Sequence, residues 1–355
     1  MNFAQQVSSA AGADRLCTEP LRLGSLTVDA PAFLAPMAGV TDLAMRRLAR
    51  RFGAGLAFSE MVASGDYAQG ANGKAGRESL LRALGGGLSP HAVQIAGCDA
   101  DSMAEAARLV ADAGADLIDI NMGCPAKRVV GGAAGSALMR DLDHAARLIA
   151  AVTRAVTVPV SVKMRLGWDD ETRNAPELAR RAEAEGAVMV VVHGRTRQQF
   201  YRGVADWSAI RAVSDAVSIP VVANGDCRSA EDACEMLRQS GAKAVMIGRA
   251  ALGQPWVVGE IASFLRNGRA SAGPDGATRR AAAREHLATL LELLGPLQGL
   301  RHARKHLAAY ADVAAGQGGG LDPAARRRLV ESEDAREVMD LLGRLYRREP
   351  EAEAA

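Results

Sequence analysis

A thiol, an amine and a few glycine-flanked polar residues are where this chain could do chemistry. Cys124 stands between Gly123 and Pro125, just past the largely apolar run Leu117 to Met122. A thiol there is more exposed than in a core and can act as acid, nucleophile or ligand. Gln94 and Lys163 sit inside two further apolar runs, Ala92 to Ala96 and Val158 to Met164. If those runs end at one mouth, both side chains could hydrogen-bond a planar heterocycle, and a lysine beside a flavin N1–O2 edge would stabilise the reduced anion. Asn224-Gly225-Asp226 and Gly248-Arg249 each close another run. Glycine there lets backbone N–H groups approach an anion, a following helix N-terminus adds its dipole, and Arg249 adds charge, so the pair of loops reads as a phosphate site. Each signal alone has a bland reading: a turn, an ion-paired lysine, a cysteine that fills space.

The elements that must position these residues repeat. Eight short apolar runs (Phe33 to Met37, Leu56 to Met61, Ala92 to Ala96, Leu117 to Met122, Val158 to Met164, Val188 to His193, Ile219 to Asn224 and Ala244 to Ile247) alternate with Ala-, Leu-, Glu- and Arg-rich stretches of helical spacing. Continuous apolar strands are buried on both faces, as in parallel sheets, and an eightfold βα count favours a closed TIM (β/α)8 barrel. Gly114, Gly186 and Gly241 stand where the helices would end before the next strand. Leu21 to Val28 reads as a hairpin on the barrel floor. After Pro255 no strand is expected, and Arg279 to Leu294, Leu300 to Ala314, Pro323 to Glu331 and Asp334 to Arg347 read as helices. The expected organisation is a barrel over 1–260, a small all-helical domain over 261–348, and a frayed acidic tail over 349–355.

The chain has 355 residues, 48% of them hydrophobic and 24% charged, which excludes general disorder. Forty-three Lys and Arg nearly balance 41 Asp and Glu, but residues 261–310 carry eight basic against three acidic side chains and three histidines. A basic segment therefore follows a neutral body. The five cysteines are widely spaced without a CxxC step, so disulfides are not expected and neither is a metal site, Cys98, Cys124 and Cys227 included. Residues 1–12 lack the features of a signal peptide, and no apolar run is long enough to span a membrane. A cytoplasmic protein is expected, monomeric and without a stable protein partner.

Taken in order, these residues resemble the tRNA-dihydrouridine synthase family, most closely its bacterial B-type branch. The resemblance runs from about Leu21 to Tyr310. It is carried by Ala35-Pro36-Met37-Ala38-Gly39-Val40-Thr41-Asp42, Asp119-Ile120-Asn121-Met122-Gly123-Cys124-Pro125, Val162-Lys163-Met164-Arg165, His193-Gly194-Arg195-Thr196-Arg197, Asn224-Gly225-Asp226, Gly248-Arg249 and Arg304-Lys305-His306 with Tyr310. It implies an FMN held by Pro36, Met37 and Ala38, with Gln94 and Lys163 on the ring. His193, Asn224, Gly225, Asp226, Gly248 and Arg249 would serve its ribityl chain and phosphate. It further implies that NADPH, or NADH, is the reductant and that Cys124 is the general acid. Asn121 and Arg165 would face a uracil of tRNA or another structured RNA, with Arg195 and Thr196 near the same mouth. Reduction of a uridine C5=C6 bond requires a base drawn out of its stack. It also needs a cationic RNA surface, which Arg304, Lys305 and the segment from Arg279 to His306 could supply. Two features depart from the family pattern: Ala309 stands where an aromatic often precedes the tyrosine, and Gly316 to Gly320 reads as an insertion. The rival readings are an FMN enzyme acting on a free pyrimidine, as a dihydroorotate dehydrogenase does, and an RNA-binding module on a vestigial barrel.

Overall fold

The computed structural model describes Cys17 and residues 19–65 and 73–346; the tail 349–355 lies outside them. The apolar runs form β3 (Ala32–Leu34), β4 (Leu56–Ala57), β5 (Val62–Ala63), β6 (Ala92–Ala96), β7 (Leu117–Met122), β8 (Val160–Arg165), β9 (Met189–His193), β10 (Val221–Asn224) and β11 (Ala244–Ile247), after a hairpin of β1 (Leu21–Leu23) and β2 (Leu26–Val28). The nine strands from β3 on are all parallel, in the order β4-β3-β11-β10-β9-β8-β7-β6-β5.

Nine strands make eight barrel positions because the second, expected as one run from Leu56 to Met61, is interrupted. β4 pairs with β3 and β5 with β6, and a single bridge from Phe58 to Ala92 closes the ring between them. The interruption comes from Ser59. Its hydroxyl oxygen takes the N–H of Gln94 at 3.0 Å, where a strand carbonyl would otherwise stand, and its own O–H turns to the Glu60 carbonyl at 2.8 Å. The hairpin packs Leu21, Leu23 and Val28 against the inward-facing Phe33, Phe58, Leu117, Met189 and Met246, sealing the floor of the barrel. The helices pack on the outside through a second apolar layer that includes Met45, Met103, Leu148, Leu178 and Met236.

Beyond β11 only helices follow among the described residues: Val257–Asn267, Gly276–Leu294, Pro296–Gly316, Pro323–Glu331 and Ala335–Leu342. The second starts three residues before its expected first residue because Asp275 caps it, accepting the Thr278 N–H at 2.7 Å. Helix Val257–Asn267 crosses position 260, and its Val258, Ile261 and Leu265 belong to the barrel's apolar layer. The later helices share their own core of Leu287, Leu290, Leu300, Leu307, Leu329 and Leu342, which also takes in Leu48 and Trp256 from the barrel side. No described helix is long and apolar enough to cross a membrane.

Candidate active site

The strand ends bring most of the singled-out residues to one rim. Register places Gln94 beside Asp119, Asn121 beside Lys163, Arg165 beside His193, and His193 beside Asn224. One hydrogen-bonded chain follows from that register. Ser161 Oγ donates to Asp119 Oδ1 at 2.7 Å, and Gln94 Nε2 donates to Asp119 Oδ2 at 2.7 Å. Asn121 Nδ2 donates to Gln94 Oε1 at 2.8 Å, and Asn121 Oδ1 accepts the backbone N–H of Cys124 at 2.9 Å and that of Gly123 at 3.2 Å. The loop holding the thiol is thus tied to the barrel interior. From the other side, Ser136 donates its N–H and O–H to the Cys124 carbonyl at 3.1 and 2.9 Å. The Cys124 side chain is half-buried and lines a cleft of about 810 Å³ between the rim and the C-terminal helices, bordered also by Ala38, Cys98, Leu290, Leu294 and His302.

Lys163 Nζ donates to Asn224 Oδ1 at 2.9 Å, and Asn224 Nδ2 donates to the Met246 carbonyl at 2.8 Å, so the amide's orientation is set by the neighbouring strand. Desolvation pulls the Lys163 ammonium down to about 8, with Asp119 opposing that fall. Burial likewise pushes the Asp119 carboxyl up to about 6, against the hydrogen bonds from Gln94 and Ser161 and the charge of Lys163. The two lie on adjacent strands, and each charge favours the ionised form of the other. His193 is desolvated and surrounded by Lys163, Arg165, Arg195 and Arg249, which together hold its ring well below the ordinary range and neutral.

Three arginines occupy the next sector. Arg165 is buried, and desolvation lowers its guanidinium to about 10. It donates to the carbonyls of Gly123 at 2.7 Å, Thr196 at 2.9 Å and Phe200 at 2.8 Å, tying the cysteine loop to the loop after β9. Arg195 is 1% exposed and engages the carbonyls of Arg202 and Gly203, His193 Nε2 and both oxygens of Asp226, the closest at 2.6 Å. Asp226, in the left-handed region at φ 56°, also accepts the Ala205 N–H at 2.9 Å and Arg249 Nη2 at 3.1 Å. Its carboxylate is therefore fully used by the protein. Desolvation works to raise it, but the bonds from Arg195 and Ala205 and the two guanidinium charges hold it below the usual carboxylate range. Arg249, by contrast, keeps most of its surface free. Tyr201, 55% exposed, lies 5.5 Å from Arg165 and 5.4 Å from Arg249 across its ring.

Of the remaining residues, Pro36 and Met37 are half-buried and Ala38 exposed at the end of β3. A Cβ built on Gly248 would meet nothing nearer than Met37 Sδ at 3.8 Å, whereas one on Gly225, at φ 121°, would stand 2.7 Å from Ala205 Cβ. Thr196 is buried, its N–H donating to Gln199 Oε1 at 2.7 Å and its Oγ1 accepting the Gln199 N–H at 3.4 Å. Lys305 reaches the rim from the helical side: its Nζ lies 2.6 Å from where a Cβ on Gly39 would be. Arg304 is half-buried with its Nε unpartnered. The sequence reading assigned no role to Asp119, Glu60 or Tyr201. The position of Asp119 opposite Gln94 in the sheet is the signal that reveals it. Glu60 accepts the Gly39 N–H at 2.5 Å and so shapes the turn after β3.

The rim thus gathers the Gln94 amide and Lys163 amine, a largely exposed guanidinium at Arg249, and a thiol at the edge of a cleft. The sequence matches the family described as dihydrouridine synthase over residues 33–322. The chain belongs to that family. It is 51% identical over 313 residues to a probable tRNA-dihydrouridine synthase of Rhizobium leguminosarum, spanning 88% of this chain and 93% of the relative. Against the probable tRNA-dihydrouridine synthase of Rhodobacter capsulatus it is 52% identical, spanning 88% and 97%. Against the tRNA-dihydrouridine synthase B of Xanthomonas campestris it is 49% identical, spanning 82% and 86%. Among solved structures it resembles histamine dehydrogenase from a Rhizobium species, with a TM-score of 0.54 at 15% identity over 78% of this chain and 51% of that one. It also resembles morphinone reductase, with a TM-score of 0.50 at 17% identity over 74% and 93%. At such identities these likenesses concern the TIM-barrel fold alone.

Proposed function

We propose that this protein is an oxidoreductase that reduces the C5=C6 bond of uridines in tRNA to 5,6-dihydrouridine, with FMN as cofactor and NADPH as reductant. FMN, when bound, supplies a hydride acceptor and donor. The residues on the rim fit such a group: Lys163 has one protein acceptor and two N–H bonds left over, a Cβ on Gly248 would meet nothing closer than ordinary contact, and Arg249, held by Asp226 through one nitrogen, is 64% exposed beside two glycine turns. Gln94 and Lys163 would hold the ring edge, with Pro36, Met37 and Ala38 along its face. His193, Asn224, Gly225, Gly248 and Arg249 would take the chain and phosphate. Asp226 would act at one remove, keeping Arg249 and Arg195 in place.

The single observation that carries the reading is the cysteine loop. Asn121 bridges Gln94 to the backbone of Cys124, so the group on the cofactor side and the thiol on the cleft side share one rigid support. A uracil entering the cleft would lie between them, with Cys124 holding the proton destined for C5. Arg165 would fix the loop behind it, and Arg195 and Thr196, both buried, would stiffen the adjoining turn. Following the chain, we assign 1–260 to the cofactor and the chemistry, and 261–348, with Arg304 and with Lys305, which stands beside Gly39, to RNA.

Cys124→Ala tests this. The purified variant is expected to keep its yellow flavin and its NADPH oxidation, while dihydrouridine formation in unmodified tRNA falls about 10²–10⁴-fold. Normal product yield from the variant would overturn the assignment of the acid. A wild-type protein that reduces free uracil or orotate but not tRNA would overturn the choice of substrate.

A further inference from the structure

Away from the thiol, three histidines from the C-terminal helices converge on one carboxylate of the barrel. Asp42 caps helix Leu43–Arg51, accepting the Met45 N–H on Oδ1 at 2.9 Å. His302 and His306, one helical turn apart, place their Nε2 atoms 3.5 and 3.2 Å from Asp42 Oδ2, and His286 Nε2 stands 3.3 Å from Oδ1. The ligand atoms of Asp42, His302 and His306 all lie within 4.8 Å of one another.

Hydrogen bonding accounts for only part of this cluster: His286 reaches Asp42 Oδ2 at 3.4 Å and Tyr310 Oη at 3.1 Å, but the other two rings are not so placed. His306 is 2% exposed, yet neither of its ring nitrogens has a hydrogen-bond partner, and the buried Nε2 of His302 has none either. Unpartnered buried nitrogens of this kind are costly and uncommon. The His302 separation of 3.5 Å is long for an N–H···O bond, whose usual range is about 2.7–3.2 Å, and that of His306, 3.2 Å, stands at the range's upper edge without the alignment of a bond. They suit another arrangement. An ion with tetrahedral bonds of about 2.0–2.2 Å keeps its ligand atoms about 3.3–3.6 Å apart. Two histidines at i and i+4 present both imidazoles from one face of a helix, the spacing that metal-binding helices use.

We infer that Asp42, His302 and His306 bind one divalent transition-metal ion of the zinc class, clamping helix Pro296–Gly316 to the loop that follows β3. Nitrogen and carboxylate ligands without thiolate suit Zn2+ and its neighbours better than Mg2+ or Ca2+. His286 stands behind the carboxylate, held by Tyr310 Oη at 3.1 Å from its Nδ1, and serves as the outer support that orients it. Asp42 and His302 border the cleft, so the fourth coordination position faces it. The ion would fix Lys305, between the two histidine ligands, over Gly39 of the rim.

The test uses the untagged full chain, stripped with a chelator and titrated with Zn2+ in competition with a chromophoric chelator. Binding of one ion per chain is expected, weakened at least about 100-fold in His302→Ala and about 10–100-fold in His286→Gln. Cys98→Ser and Cys124→Ala should bind as the wild type does. His302 is partly exposed on its helix, so its loss should leave a folded protein even if His306→Ala does not. With Co2+ the wild type should show the visible bands of a tetrahedral site and no thiolate charge-transfer band. Binding no tighter in the wild type than in His302→Ala, an octahedral Co2+ spectrum, or a thiolate band would each overturn the inference.

Discussion

Asp226→Asn separates a carboxylate that touches a ligand from one that holds an arginine in place. Both carboxylate oxygens of Asp226 accept: Oδ1 from Arg195 and Arg249, Oδ2 from Arg195 and the Ala205 N–H. An amide of the same shape, which also tolerates the φ of 56°, must therefore turn an NH2 group toward existing donors. It also leaves the guanidinium of Arg195, 1% exposed, without its anionic partner. Breaking a buried pair on one side costs about 3–5 kcal/mol, or two to nearly four decades in the folding equilibrium. Arg195→Met should cost less, because Asp226 keeps Arg249 and the Ala205 N–H. The double variant should lose less than the two singles added together, by about 1–3 kcal/mol. Urea unfolding at neutral pH reads this through tryptophan fluorescence, since Trp207 donates to the Gly225 carbonyl at 2.8 Å, next to the substitution. The pH dependence has a definite sign. The folded carboxyl of Asp226 lies below its unfolded value, so its contribution is complete above the ordinary carboxylate range and disappears as pH falls through the lowered value. The gap between wild type and Asp226→Asn should accordingly persist at neutral pH and close in acid. A loss under about 1 kcal/mol, or additive single and double variants, would refute the pairing as the reason for this residue.

Two further perturbations test the frame around the site. Gly259→Ala places a Cβ 1.7 Å from the Phe52 carbonyl oxygen, a backbone atom that cannot swing away, so helix Val257–Asn267 must lift off the helix Leu43–Arg51. A loss of about 1–3 kcal/mol or more is expected in thermal unfolding, and an unchanged midpoint would show that the two helices are not in register as described. Burial pushes the Cys227 thiol up to about 12, whereas Cys98 and Cys124 line the cleft. Iodoacetamide at neutral pH should label the latter two in the folded protein and Cys227 only after unfolding, as peptide mass spectrometry would read; labelling of native Cys227 at the rate of Cys124 would contradict the packing.

Local pattern carried the barrel. Apolar runs of strand length alternating with helical spacing depend only on neighbours in the chain, and with them came the placement of Cys124, Lys163, Asn224 and Arg249 at strand ends, because a parallel barrel leaves its polar residues no other rim. Helix starts were less legible, since Asp275 lies among glycines and declares itself a cap only when Thr278 donates to it. Tertiary structure alone decided which side chains meet. Ser161, Asp119, Gln94 and Asn121 become one chain through strand register, and the broken second strand exists because Ser59 replaces a ladder carbonyl. The histidine cluster is the extreme case: Asp42 and His286 are 244 residues apart, and no periodicity links them. Periodicity is a property of a segment and can be read from it; a contact between segments follows from how whole faces pack, and only the folded chain contains that information.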